Sequence, residues 1–234
     1  DYFLIHNRDI YLRCDDSIAA YSAGKVRLIR RSRGYAPRPI LVRSKGETVL
    51  AVGGELKNTV CLLKENQAFL SQHIGDLENL QAYNHFQKTV EHLQRVFEAT
   101  PELLVHDLHP GYLSSHWVSE QPEIGSLSVQ HHHAHLVSCM AEHQLSGKVI
   151  GFAMDGTGYG TDGTIWGGEV LVGNERSAFR FASFEPMPLP GGDTAIKSPW
   201  RTATSYLLNS LGQNLPNLPF LSEMTMKKFQ KNAM

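Results

Sequence analysis

The sequence lacks the paired cysteines of disulfide frameworks and thiolate metal sites. Its three cysteines, Cys14, Cys61 and Cys139, lie far apart, and no CxxC pair occurs in the 234 residues. A scattered, odd set of thiols is typical of reduced, mostly buried cysteines. A metal site in this chain would therefore use nitrogen and oxygen ligands.

Long apolar runs are lacking as well. No stretch approaches the roughly 20 apolar residues that span a bilayer, and no signal-peptide pattern opens the chain. Hydrophobic residues make up 41% of the sequence, which fits one or two globular domains. We therefore expect a cytoplasmic protein with no membrane partner. The sequence starts without Met and stops at the amphipathic "KKFQKNAM", so we also expect a fragment of a longer protein.

Acidic residues are scarce near the start of the chain. Residues 1–43 contain nine Lys or Arg and four Asp or Glu, whereas the remainder contains thirteen and nineteen. Between Lys25 and Arg43 there are seven basic residues and no acidic one. This patch suits a phosphate-bearing ligand or nucleic acid. A solvated strand edge followed by a linker is the alternative.

Hydrophobic periodicity divides the chain into segments. Short strands are expected over 1–7 and 25–31, and the glycine and prolines of "GYAPRP" mark a break that ends near residue 43. Strands over 49–52, 59–63 and 68–71, a helix over 77–98 and two further strand-helix pairs predict the order βββαβαβα. From Lys148 the pattern restarts with strands around glycine-rich turns and a helix over 198–212.

Tandem βββαβα units of this kind favour an α/β protein with the actin-like, sugar-kinase-like ATPase fold. In that fold a nucleotide lies between two related subdomains, and here the second unit is incomplete.

The most concentrated functional signal is "HHHAH" at residues 131–135, which holds four of the twelve histidines. At helical spacing His131 and His135 share one face, while His132 and His133 turn away. Two imidazoles at that spacing are a recurrent way to hold zinc or iron. A third ligand, expected to be a carboxylate, is not identified by spacing. Histidines that merely coat the start of a surface helix are the alternative.

Two glycine-containing turns could hold phosphate. In "DGTGYGTDG", Asp155 ends a strand where it could bind magnesium or its water, and the glycines let backbone amides approach phosphate oxygens. Gly53 and Gly54, with Lys57 and Thr59, mirror this turn in the first unit. Plain hairpin turns are the alternative. In "VHDLHPGY", His106, Asp107 and His109 could support a metal or contact substrate, or form an ordinary polar loop.

Several of these stretches together resemble the HypF carbamoyltransferase family of nickel-iron hydrogenase maturation. They include "RCDDSI", "LIRRSRGYAPRPI", "GGELKNTVCLL", "VHDLHPGY", "VQHHHAHLVSCMAEH" and "DGTGYGTDGTIWGGE", in the family's order. The resemblance implies that residues 1–43 are the C-terminal part of a YrdC-like domain. Residues 46–147 would be the first subdomain of a TsaD-like domain, and 148–234 the truncated start of its second subdomain.

The resemblance also implies site residues. The metal ligands would be His131 and His135, with a third ligand, an aspartate, beyond residue 234. Catalytic roles are expected for Asp155 and His109. Cofactor contacts are expected from two sets of residues: Gly53, Gly54, Lys57, Asn58, Thr59, Asp155, Gly156, Thr157 and Gly158 around phosphate, and Arg30, Arg31 and Arg33 in the YrdC-like part. Ala20 stands where the family usually has arginine.

The family's reaction is implied in the same way. Carbamoyl phosphate and ATP, with magnesium, would give carbamoyl-adenylate, and the carbamoyl group would pass to the C-terminal cysteine of the partner HypE. Nucleic acid is not an expected partner. The alternatives are a tRNA threonylcarbamoyl transferase of the TsaD type, or an inactive fragment that binds metal or a partner.

Overall fold

The computed structural model describes residues 2–43 and 46–212, which belong to two compact units that divide after Phe181. The amphipathic pattern at the end of the sequence lies outside the described residues. Along the chain the elements are β1 (Ile18–Ser22), β2 (Lys25–Arg30), β3 (Ile40–Leu41), β4 (Val49–Ala51), β5 (Cys61–Lys64), β6 (Gln67–Leu70), α1 (Leu80–Val96), β7 (Leu103–Asp107), α2 (Leu113–Ser119), β8 (Gly125–Val129), α3 (His131–Glu142), β9 (Val149–Ala153), β10 (Gly158–Tyr159), β11 (Ile165–Trp166), β12 (Glu169–Gly173), β13 (Ala178–Ser183), α4 (Asp193–Lys197) and α5 (Pro199–Leu211).

A six-stranded mixed sheet forms the centre of the first unit, in the order β3-β6-β5-β4-β7-β8. Strands β4, β7 and β8 run parallel, and the other pairs are antiparallel. The carboxyl ends of the three parallel strands therefore meet at one edge, which is where open α/β sheets bind ligands. Elements β4 to α3 follow the predicted order βββαβαβα.

Helices α1 and α2 contribute to the main core. Helix α1 begins at Leu80 because the side chain of Asn79 accepts hydrogen bonds from the next backbone amides, at 2.9 Å from Gln81 N and 3.4 Å from Ala82 N. Its buried Phe86 meets Trp117 of α2 edge to face, with ring centroids 5.7 Å apart. Burying one such side chain contributes about 2 kcal/mol. This core fixes the sheet beneath the site.

A second, three-stranded sheet has the order β13-β12-β9 and packs on α3. Leu136 and Met140 of α3 form a small core with Trp166 and Leu171. A side chain at Gly151 of β9 would overlap Leu136, so the glycine permits close contact between strand and helix. That contact brings the residues after β9 to the first turn of α3.

Two expectations from the sequence need correction. The strand over 1–7 is wrong: residues 2–7 are not in a strand, since an isolated extended segment has no partner among the described residues. The real hairpin is β1–β2, closed by Ala23 and Gly24, both at positive φ. The restarted pattern also contains an extra small hairpin, β10–β11, between β9 and β12.

In the second unit, Pro199 opens α5 at a position where its missing N–H costs nothing. The hydroxyl of Ser205 on this helix donates to the carbonyl of Pro188 at 2.9 Å. None of the helices within the described residues is both long and apolar enough to cross a membrane.

Candidate metal centre

Helix α3 presents the histidine pair at its first turn. It begins at His131 because the side-chain oxygen of Gln130 accepts a hydrogen bond from the backbone N–H of His133 at 2.9 Å. One turn apart, His131 and His135 face each other with their Nε2 atoms 3.2 Å apart. The i, i+4 pairing expected from the sequence is therefore present in space.

Asp107, the last residue of β7, fixes one of these rings. Its Oδ2 lies 2.6 Å from His131 Nδ1, so the imidazole donates there and turns Nε2 toward His135. Carboxylates that hold the far nitrogen of a metal-binding histidine are a common supporting arrangement. The sequence suggested this role as one possibility for the "VHDLHPGY" segment.

A carboxylate from the second repeat completes the cluster. Asp155 follows β9, and its Oδ2 lies 3.4 Å from His131 Nε2 and 3.7 Å from His135 Nε2. One ligand atom from each of the three residues lies within 4.8 Å of the others. The sequence left the third ligand unidentified, and the resemblance located it beyond residue 234. The structure offers Asp155 as a carboxylate ligand inside the chain.

The chemistry of this donor set fits a transition-metal ion. Both carboxylate oxygens of Asp155 are buried without a hydrogen-bond partner among the described residues. A buried carboxylate is costly unless something positive satisfies it. Two imidazole nitrogens and one carboxylate oxygen are ligands that suit zinc or iron. His131, His135 and Asp155 would hold such an ion.

Hydrogen bonding and burial shift the pKa values of His131 and His135 in opposite directions. The hydrogen bond to Asp107 raises the pKa of His131, against an opposing effect of desolvation. Desolvation lowers the pKa of His135, and the neighbouring His131 lowers it further. The lowered pKa favours the neutral form of His135, which is the form that binds a metal ion.

A cavity of about 370 Å³ opens beside the cluster. Gly53 has φ +69°, and a side chain on it would overlap the carbonyl of Thr59, so the turn after β4 requires glycine. A side chain on Gly54 would touch His131, Asp107 and Tyr112 at 3.8 to 3.9 Å. The cavity is lined by residues of the expected phosphate-binding turn and of the histidine cluster: Gly53, Gly54, Thr59, Asp107, His131 and His135.

Other residues expected at the site lie elsewhere. Asn58 is buried, and its amide donates to the carbonyls of Val52 at 2.8 Å and Gly54 at 2.6 Å, so it holds the turn together. His109 stacks on Tyr112 with ring centroids 4.1 Å apart and does not line the cavity. A cofactor contact by Asn58 and a catalytic role for His109 both stay predictions.

The basic residues gather in a separate place. Lys57, Arg30 and Arg31 line a second cleft of about 400 Å³, together with Thr59 and His73. Arg33 lies outside it and pairs with Asp16 at 3.5 Å. The glycines of the loop after β9 also differ in their surroundings. Gly158 packs on the histidines, whereas Gly156 has nothing near its Cβ position among the described residues. Phosphate binding by Gly156, Thr157 and these cations stays a prediction.

Sequence reasoning missed His132. It was expected to turn away, yet it is fully buried, and its Nε2 lies 2.9 Å from Asp155 Oδ1. A helical projection could not show this, because the burial comes from β10 and from Trp166 of β11, whose ring centroid is 5.9 Å away. His133 does turn away and donates to the carbonyl of Asn174 at 2.8 Å.

The fold and the site together define an α/β protein of the actin-like ATPase class with a histidine-carboxylate cluster at a sheet edge. Residues 44–142 match the family model described as the HypF Kae1-like domain, and residues 151–233 match that of the carbamoyltransferase Kae1-like domain, second subdomain. The chain belongs to the HypF carbamoyltransferase family.

Individual relatives agree with this assignment. The chain is 46% identical over 213 residues to carbamoyltransferase HypF2 of Cupriavidus necator, covering 88% of this chain and 26% of that protein. It is 44% identical over 216 residues to carbamoyltransferase HypF of Synechocystis, covering 92% and 28%. The chain thus spans about a quarter of the length of these curated relatives.

A solved structure matches with a TM-score of 0.85 and 45% identity, covering 96% of this chain and 30% of the other. It is described as full-length HypF in the phosphate- and nucleotide-bound form. The domain boundaries expected at 43 and 147 stay predictions.

Proposed function

We propose that this chain supplies the metal centre of a cytoplasmic carbamoyltransferase. In the whole enzyme, carbamoyl phosphate and ATP with magnesium would give carbamoyl-adenylate, and the carbamoyl group would pass to the C-terminal cysteine of HypE. The observation that carries the proposal is the cluster of His131, His135 and Asp155 beside a glycine-lined cavity. Membership of the HypF family supplies the reaction.

The residues of the cavity have distinct tasks. Asp107 holds the His131 ring in place, and Gly53 and Gly54 allow an anionic substrate to approach the backbone. A bound metal ion would act as a Lewis acid on the carbamoyl oxygen. Asp155 would hold this ion while its loop continues into Gly156 and Gly158, where the adenylate phosphate is expected.

The acceptor thiol would come from the partner. Cys61 lines the cavity, but burial raises its pKa to about 11, so it is mostly protonated and a poor nucleophile near neutral pH. Cys14 and Cys139 are exposed and do not line it. The cavity therefore lacks a reactive thiol of its own among the described residues, which supports an acceptor thiol from another protein.

Nucleotide binding is supported from two sides. The solved relative is described as holding phosphate and nucleotide. In this chain, Arg30, Arg31 and Lys57 line one cleft, whose positive charge suits phosphate. Both observations support ATP as a ligand of the whole enzyme.

The proposal is tested by changing the two histidine ligands in the full-length enzyme. His131→Ala and His135→Ala should each lose bound metal, measured by elemental analysis, and abolish thiocarboxamide formation on HypE, measured by mass spectrometry. His133→Ala is the matched control, because His133 contacts Asn174 instead of the cluster, and it should retain both. Transfer at the wild-type rate in the two ligand variants would falsify the metal role. Threonylcarbamoylation of tRNA in a parallel reaction would instead identify the TsaD-type activity.

A further inference from the structure

The buried His132 is held by a hydrogen-bond network whose donors and acceptors can be assigned. The Gln130 side-chain oxygen accepts from the backbone N–H of His133 at 2.9 Å. The amide nitrogen of Gln130 must then be on the other side, where it donates to the carbonyl of Tyr159 at 3.1 Å. Both partners are backbone groups with fixed roles, so the orientation of this amide is settled.

The same amide nitrogen lies 2.9 Å from Nδ1 of His132. An NH₂ group can only donate, so Nδ1 of His132 must accept and carries no proton. The ring proton is therefore on Nε2. That nitrogen lies 2.9 Å from Asp155 Oδ1. A lone pair at this position would be repelled by the carboxylate, so the same tautomer follows from the opposite side of the ring.

We propose that His132 is a positioning residue that places its protonated Nε2 beside Oδ1 of Asp155 and leaves Oδ2 as the metal ligand. The two oxygens have different surroundings: Oδ1 faces His132, whereas Oδ2 faces His131 and His135. The alignment of His132 with Oδ1 falls outside hydrogen-bond geometry, so the contact acts through the N–H dipole. This inference rests on the metal role of Asp155 proposed above.

Packing prevents His132 from leaving this position. The residue is fully buried, and a side chain at Gly158 would come within 2.5 Å of its Cε1 atom. With its lone pair directed at Gln130, His132 is not itself a metal ligand. The three neighbouring histidines therefore have different roles in this proposal. His131 is a metal ligand, His132 is a positioning residue, and His133 contacts the turn at Asn174.

The test uses two replacements that differ in which nitrogen they mimic. In His132→Gln the side-chain amide reaches the position of Nε2 and can still face Asp155, whereas in His132→Asn it reaches only that of Nδ1. Each variant is made in the full-length protein, and Zn²⁺ affinity is measured by competition with a chromophoric chelator. We expect His132→Asn to bind about 10- to 100-fold more weakly, and His132→Gln to stay within about threefold of wild type.

Gln130→Met removes the amide that sets the tautomer while keeping a side chain of similar length; it also removes the oxygen that caps α3, so circular dichroism is used to check that the helix is retained. It should also weaken Zn²⁺ binding, and combining it with His132→Asn should add little, because both act through one network. Visible absorption of the Co²⁺-substituted protein reports the ligand set and should change in both variants. His133→Asn is the control and should leave affinity and spectrum unchanged.

Wild-type affinity and spectrum in His132→Asn and Gln130→Met would overturn the inference. An equal loss in His132→Gln and His132→Asn would do so too, because the role would then be general packing. The proposed metal role has a separate readout: if His131→Ala retains wild-type Zn²⁺ affinity, the metal assignment fails, whatever the His132 variants show.

Discussion

Replacing Gly158 by alanine should weaken metal binding, although the change is one methyl group outside the ligand set. The added Cβ would lie 2.5 Å from His132 Cε1 and 2.8 Å from His131 Cδ2. Carbon atoms in contact are normally about 3.5 to 4.0 Å apart. The loop and the first turn of α3 must therefore separate by about 1 Å, and this movement carries Asp155 away from His131.

We expect two measurable consequences. Zn²⁺ affinity should fall about 10-fold or more, because metal ligands tolerate little displacement. The metal-free protein should lose about 1 to 3 kcal/mol of unfolding free energy from overpacking. Chelator competition measures the first, and urea denaturation with EDTA present measures the second.

Gly156→Ala is the matched control for this experiment. Gly156 lies in the same loop, has no positive φ, and has nothing within 4 Å of its Cβ position among the described residues. Its Zn²⁺ affinity and urea midpoint should match those of the wild type. If Gly158→Ala behaves like this control, the contact between the loop and α3 is wrong, and with it the approach of Asp155 to the histidines.

Two further predictions concern stability. Burial lowers the pKa of His85 to about 4 from an unfolded value of 6.5. Below pH 6.5 the unfolded chain therefore takes up a proton that the folded protein does not. The unfolding free energy is highest above pH 6.5 and decreases as the pH falls toward 4. Between pH 7.5 and 5 the wild type should lose about 2 kcal/mol more unfolding free energy than His85→Leu, and parallel pH curves would refute this. Arg180 makes two hydrogen bonds to the buried Glu169, at 2.5 and 2.9 Å. Arg180→Met should therefore lower the unfolding free energy in urea by about 3 kcal/mol. Adding Glu169→Gln should recover part of that loss. If Arg180→Met alone leaves the unfolding free energy unchanged, the ion pair with the buried Glu169 is contradicted.

The histidine pair and the central sheet could be predicted because both depend on local periodicity. Apolar spacing identified β4 to α3 in order, and the i, i+4 rule selected His131 and His135. Neither inference required knowledge of distant contacts. The expected strand over 1–7 is wrong because a strand also depends on contacts with distant residues. An apolar pattern predicts a strand only where another strand is available to pair with it, and residues 2–7 have none among the described residues.

The other parts of the site could not be read from local sequence. Asp155 reaches the histidines because Gly151 allows β9 to pack closely on Leu136 of α3, a contact between the two repeats. The burial of His132 depends on the hairpin β10–β11, which the sequence did not predict as a separate element. In both cases a glycine marks the close approach, but its reason becomes visible only when the neighbouring element is known.

The position of Asp155 links the two functions proposed for its loop. The proposed metal ligands lie on α3, at the end of the first repeat, and at the residue that opens the glycine-rich turn of the second. A phosphate held by Gly156 or Thr157 would contact backbone directly attached to Asp155. Because Gly158 also packs on His131 and His132, this short loop cannot shift to admit a phosphate without moving the carboxylate against the imidazoles. Nucleotide and metal should therefore influence each other's affinity, and reciprocity requires the coupling to be equal in both directions.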